Sequence, residues 1–180
     1  MKRENFRPSP LGDARIDKPS TLVFARELRA PPERVWAALT DPAKITQWAP
    51  FDANRGLATT GSATLVMAGG TGDSSETSAI VVKRADRPSL LEYTWGNDLL
   101  RWELEPIATG TRLTLRHTVE DAGWLSRITA GWHMCLDVMD HALNGDAFGR
   151  IVGGEAKQFG WGDLAKSYAA MLGVPAPNDA

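Results

Sequence analysis

Three histidines, a lone cysteine, a glycine-rich stretch and one arginine set among apolar neighbours are the residues of this chain whose types could carry chemistry. His133, Asp137 and His141 stand at i, i+4 spacing, which can bring metal ligands onto one helix face. At 100° per residue they fall about 100°, 140° and 180° from Trp132, on the side away from the apolar stripe. No further His or Cys cluster completes a set, so they read as polar residues of a helix surface, and no metal is expected. Gly69-Gly70-Thr71-Gly72-Asp73-Ser74 has the composition of a phosphate loop but lacks the lysine and precedes a strand pattern rather than a helix. It reads as a hairpin loop, and no nucleotide or other cofactor is expected. Cys135, about 60° from Trp132, reads as a small core residue rather than a nucleophile.

Arg26 and His117 are different, because each occupies an otherwise apolar register. Inside a cavity, Arg26 could hold a carboxylate or phenolate and His117 could exchange a hydrogen bond. The plainer alternative leaves the Arg26 head in water near a strand end and His117 at the fraying end of its strand.

The elements that must position these groups follow from periodicity. Leu22, Phe24 and Leu28 alternate through Thr21–Ala30, the pattern of a half-buried strand. Pro31-Pro32 then opens a helix carrying Val35, Trp36 and Leu39, and Asp41-Pro42 caps and starts a second short one over Ala43–Trp48. Strand patterns recur over Ala63–Met67, Glu76–Arg84, Leu90–Trp95, Leu99–Glu105 and Thr111–Glu120, with turns every ten residues or so and no intervening helix. That predicts an antiparallel meander and excludes a doubly wound parallel sheet. From Leu125 the period changes: Leu125, Ile128, Trp132, Leu136, Met139 and Leu143 mark an amphipathic helix ending near Asn144-Gly145. Trp161, Leu164, Tyr168 and Leu172 mark a short terminal helix. Residues 1–19 show no periodicity and read as a flexible leader, leaving one domain over 20–175 and a tail over 176–180.

Composition narrows the partners. The formal net charge of −2, with both signs mixed along the chain, provides no basic stripe for nucleic acid. No apolar run is long enough to span a bilayer, and the N-terminus has no signal-peptide core. With one cysteine no intrachain disulfide can form, which fits a cytoplasmic protein. Seven tryptophans imply either a bulky core or a lined cavity.

The segment Leu28-Arg29-Ala30-Pro31-Pro32-Glu33-Arg34-Val35-Trp36-Ala37-Ala38-Leu39-Thr40-Asp41-Pro42, with Trp48 beyond it, resembles the opening of the START/Bet v 1-like (SRPBCC) superfamily. Tyr93-Thr94-Trp95, Gly110-Thr111-Arg112-Leu113-Thr114-Leu115 and Gly131-Trp132-His133-Met134-Cys135-Leu136-Asp137 are similar to the branch related to the activator of heat-shock-protein-90 ATPase homologues. The resemblance runs from about Thr21 to Gly173. It implies an α+β helix-grip fold, a curved antiparallel sheet around a long C-terminal helix, with a cavity between them. Members bind lipids, hormones or polyketides, some are cyclases, and some regulate partners.

On strand register, Leu91, Tyr93 and Trp95, Leu100, Trp102 and Leu104, and Leu113, Leu115 and His117 share inward faces opposite Trp132 and Leu136. The expected site is therefore an apolar ligand pocket formed by Arg26, Trp48, Tyr93, Trp95, Trp102, Leu115, His117, Trp132 and Leu136, with no catalytic residue among them. A solid core would use the same residues. The leading expectation is non-catalytic binding of a small apolar or amphipathic molecule. A polyketide cyclase or dehydratase-like enzyme would need convergent acid–base groups, for which His117 alone is suited. A regulatory, protein-interaction or homodimeric role would need an exposed aromatic surface.

Overall fold

A computed structural model of the chain describes residues 2–17, 19–69 and 76–177; all but the first glycine of the glycine-rich stretch lies outside them. Among the described residues, eight strands form one antiparallel sheet: β1 (Asp13–Asp17), β2 (Thr21–Leu28), β3 (Phe51–Ala53), β4 (Gly61–Met67), β5 (Thr77–Asp86), β6 (Leu90–Trp95), β7 (Asp98–Ile107) and β8 (Gly110–Thr118). Their spatial order is β1-β2-β8-β7-β6-β5-β4-β3, a meander closed by β2 returning beside β8. Helices α1 (Pro32–Thr40) and α2 (Pro42–Ile45) follow β2, and α3 (Leu125–Leu143) and α4 (Trp161–Leu172) follow the sheet. The curved sheet grips the long α3, so the helix-grip expectation holds.

Local chemistry explains the boundaries. Pro32 occupies the first turn of α1, where a missing N–H costs nothing. The Asp41 side chain accepts from the Ala43 N–H at 3.0 Å and starts α2. Trp48 then donates its indole N–H to the Ala38 carbonyl at 3.0 Å, tying the two helices together. At the β7–β8 turn Gly110 has φ +147, and a Cβ there would lie 2.1 Å from the Leu28 carbonyl oxygen, so no other residue fits.

Register places the core. Trp102 lies opposite Leu91 on β6 and Leu115 on β8, and Arg26 opposite Leu113. Leu91, Tyr93, Trp102, Leu115 and Leu22 are buried under Trp132, Leu136 and Met139 of α3.

Two expectations are corrected. The N-terminal stretch is not an unpacked leader: β1 pairs with β2, and Phe6 is fully buried. Its ring meets Phe148 at 5.7 Å, Phe159 at 6.0 Å and His141 at 6.3 Å. A phenylalanine buried this way is worth about 1.5–3 kcal/mol of transfer free energy. The face of α3 carrying His133 and Asp137 is not a surface either, since α4 and the N-terminal segment cover it and both residues are buried. Among the described residues no helix is long and apolar enough to cross a membrane.

Candidate functional site

Four residues of α3 and the turn before it, Trp124, Ile128, Gly131 and Cys135, recur at intervals of 4, 3 and 4 and form one stripe on the helix. That stripe walls a cavity of about 440 Å³ between α3, the sheet and the segment around Ile151–Trp161. Trp95, His117 and Met67 close it from the sheet, and Val152, Ala156 and Trp161 from the C-terminal side. Gly131 keeps the space open, because a Cβ built there would meet no heavy atom within 4 Å.

The polar groups of the wall are tied to one another. Trp132 donates its indole N–H to His117 Nδ1 at 3.0 Å, and His117 Nε2 lies 2.8 Å from Asp98 Oδ2. An indole N–H can only donate, so Nδ1 must accept and the ring hydrogen sits on Nε2, directed at the carboxylate. Asp98 Oδ1 accepts from the Glu120 N–H at 2.9 Å. Partial burial alone would raise the Asp98 pKa. The hydrogen bonds from His117 and the Glu120 amide outweigh it and hold the carboxyl below the usual carboxylate range. Trp95 stacks on the imidazole with centroids 6.4 Å apart and planes at 14°. His117 is thus a fixed part of the wall with neither nitrogen left for a ligand. Cys135 also faces the cavity, and burial, opposed by the Arg150 charge, pushes its thiol up to about 12, which leaves it unreactive.

With this geometry in place, the family described as Activator of Hsp90 ATPase homolog 1-like protein matches residues 29–144, well over half the chain. The chain belongs to that family. No curated protein matches it in sequence. Solved structures that share the fold include a conserved protein of unknown function from Enterococcus faecalis, 18% identical over 89% of each chain with a TM-score of 0.64. CalU16 from Micromonospora echinospora is 20% identical, covers 84% of this chain and 87% of its own, and has a TM-score of 0.61. The AHSA1-like protein from Aeromonas hydrophila is 18% identical over 69% of this chain and 92% of its own, with a TM-score of 0.60. At these identities the likeness is one of fold.

In this Activator of Hsp90 ATPase homolog 1-like chain, three of the nine residues expected at a ligand site line the cavity: Trp95, His117 and Trp132. Trp48, Tyr93, Trp102, Leu115 and Leu136 do not line it and instead form packed core. Trp102 donates to the Tyr93 hydroxyl at 3.2 Å and meets Trp48 edge-on at 6.1 Å. Burial, only partly offset by that bond, drives the Tyr93 pKa up, so its hydroxyl stays neutral. Arg26 does not reach the cavity either. It is neither free in water nor poised for a ligand anion, because its guanidinium lies 2.5 Å from Asp137 Oδ1 and donates to Ser9 Oγ at 2.9 Å. His117 is buried in register between Leu22 and Leu100, not frayed. Trp124, Trp161, Met67 and Val152 were missed, and only the helical stripe through Ile128 and Cys135 could have pointed to the first of them.

The Arg26–Asp137 pair belongs to a second polar cluster in this family member. Asp137 Oδ2 accepts from the Ser9 N–H at 2.7 Å and lies 3.1 Å from His133 Nε2, while His133 Nδ1 meets the Tyr168 hydroxyl at 2.7 Å. The Tyr168 oxygen also accepts from the Gly12 N–H at 2.8 Å. Ser9 Oγ is 3.2 Å from the same His133 Nε2, so serine, histidine and aspartate meet here. A hydrolytic triad needs the carboxylate on the nitrogen opposite the one that takes the serine proton. Here both crowd Nε2, and Ser9 accepts from Arg26 while donating to Asp137 at 3.0 Å. The cluster fastens the N-terminal segment and α4 to α3 and β2.

Proposed function

We propose that this protein binds a small apolar or amphipathic molecule, without transforming it, in the cavity beside α3. The observation that carries the reading is the cavity of about 440 Å³ walled by Trp95, Trp132, Ile128 and Met67. Its volume lies within the roughly 300–1,000 Å³ usual for small-molecule sites. A catalytic reading would need a general acid or base with a free position toward the ligand. The hydrogen bonds of His117 and Trp132 leave neither with one, which favours binding over catalysis. An interaction module would favour a continuous exposed apolar surface. The exposed large apolar residues of the described chain, Leu11, Val81, Trp124 and Met171, stand on four different parts of the fold.

Native mass spectrometry of the freshly purified protein, followed by titration with an environment-sensitive apolar dye, tests the proposal. The expected result is a displaceable bound mass, or saturable one-site uptake of the dye. Absence of both would sink it.

A further inference from the structure

We propose that the occupant of this cavity carries a cationic end, of the alkylammonium kind, held at the mouth by Asp98 and Trp95. This rests on the cavity being a binding site and adds the charge class of what enters it. The cavity does not end at Trp95. Met67, Trp95, His117 and Ile128 also line a second hollow of about 320 Å³, whose remaining wall includes Glu76, Ser78, Gly96 and Asp98. The apolar inner space therefore meets, across a shared rim, an outer space that is itself mostly apolar but carries the carboxylates of Asp98 and Glu76.

Among the described residues the charges on that rim have one sign. Asp98 and Glu76 are the charged residues lining the two spaces, and among the described residues no lysine or arginine lines either. Arg127 lies over the Trp124 ring at 4.9 Å and lines neither. Arg150, whose charge is felt at Cys135, is paired with Asp52 at 2.8 Å. A carboxylate head group would thus meet two like charges and no counter-charge. Asp98 can serve a cation because an ionised carboxylate has about four acceptor positions. His117 and Glu120 use two of them, and the side chain is 26% exposed. Those two hydrogen bonds also fix the carboxylate in place. Trp95 lines the same rim, and an indole π-system attracts a cation and not an anion.

Competition among octylammonium, octanoate and octanol for the dye-loaded protein tests this, because the three share a tail and differ in head-group charge. Octylammonium is expected to displace the dye at about five- to tenfold lower concentration than octanoate at low ionic strength. The preference should shrink in high salt. It should also shrink in Asp98→Asn, and in Glu76→Gln, which alters an exposed side chain and keeps the test open if the first variant folds poorly. Equal or tighter binding of octanoate would overturn the proposal. A preference unchanged in both variants would overturn its assignment to this rim. Failure of all three, octanol included, would instead refute the binding cavity itself.

Discussion

Filling the cavity from Gly131 separates a genuine void from a packed groove. Gly131 lies inside α3, on the stripe between Ile128 and Cys135. Replacing a helix-interior glycine with alanine is worth about 0.8–1 kcal/mol from backbone entropy alone, and leucine is nearly as good a helix former. Extra atoms in a close-packed core would cost about 1–3 kcal/mol. Here the first added carbon meets no heavy atom within 4 Å, so that penalty should be absent. A leucine side chain carried on into the space between Trp95 and Trp161 would gain further apolar contact. Gly131→Leu is therefore expected to raise unfolding stability by about 1 kcal/mol or more. The same change should weaken apolar dye uptake at least tenfold, by occupying the space. Paired denaturant curves and dye titrations on wild type, Gly131→Ala and Gly131→Leu give both readouts. Destabilisation of Gly131→Leu by more than about 1 kcal/mol would show that the space is not open. A stabilised variant with unchanged dye uptake would show that the dye, and any ligand like it, binds elsewhere.

Leu136→Phe should behave in the opposite way, because Leu136 is fully buried away from the cavity. A loss of about 1–3 kcal/mol with dye uptake intact is expected, and a neutral outcome in denaturant would contradict the packing. Phe6→Ala should cost about 3–5 kcal/mol, measured by chemical denaturation, since its ring sits among Phe148, Phe159 and His141; a loss below about 1 kcal/mol would mean that the N-terminal segment is dispensable. Burial pushes the Asp137 pKa up, but the His133 hydrogen bond, the Arg26 and His133 charges and the Ser9 amide outweigh it and hold the carboxyl below its ordinary value. Its contribution is therefore complete at neutral pH, above the ordinary carboxylate range, and is lost as pH falls through its lowered folded pKa. Asp137→Asn should lower stability by about 3 kcal/mol at neutral pH and flatten the acid limb of a stability–pH profile; an acid limb as steep as wild type would refute the assignment.

The sheet and helices were legible because their periods are clean. Leu100, Trp102 and Leu104 alternate on β7, and α3 repeats its apolar residues about every 3.6 positions. β1 was missed because only Ala14 and Ile16 alternate in a five-residue strand flanked by charge, and β3 because three residues show no period. Phe6 was missed for a related reason, since a lone aromatic in an aperiodic stretch gives no sign of what it packs against. Arg26 was singled out correctly as a polar residue on an inward register. Its partner, Asp137, lies 111 positions away on α3, and no local pattern predicts that distance. The cavity was harder still. Core and cavity use the same residue types, and which tryptophans pack against each other is decided by the third element that closes the space. Trp36, Trp48, Trp102 and Trp132 are buried, whereas Trp95, Trp124 and Trp161 stand at the cavity with part of their surface free. The choice posed by seven tryptophans, bulky core or lined cavity, is answered by both.

The helix α3 explains why one element can serve both. Taking about 100° per residue from Trp132, the residues Leu125, Leu136, Met139 and Leu143 fall within about 40° of it and face the sheet. Trp124, Ile128, Gly131 and Cys135 lie about 40–100° to one side and face the cavity. Ser126, His133 and Asp137 lie about 100–140° to the other side and meet the N-terminal segment, α4 and the chain after it. The angular placement of His133 and Asp137 away from the sheet was right, but the inference that they are exposed was not. A helix face turned from one partner is a surface only if no other segment covers it, and here two do. One of them, the N-terminal segment, also restrains the cavity from outside. Arg3 donates to the Arg150 carbonyl at 2.6 Å and pairs with Glu155 at 2.5 Å, and Phe6 packs on Phe159. Both contacts fall on the stretch that supplies Ile151, Val152 and Ala156 to the cavity wall. The N-terminal segment therefore holds the wall that the sheet and α3 do not reach, and the cavity depends on residues that touch none of it.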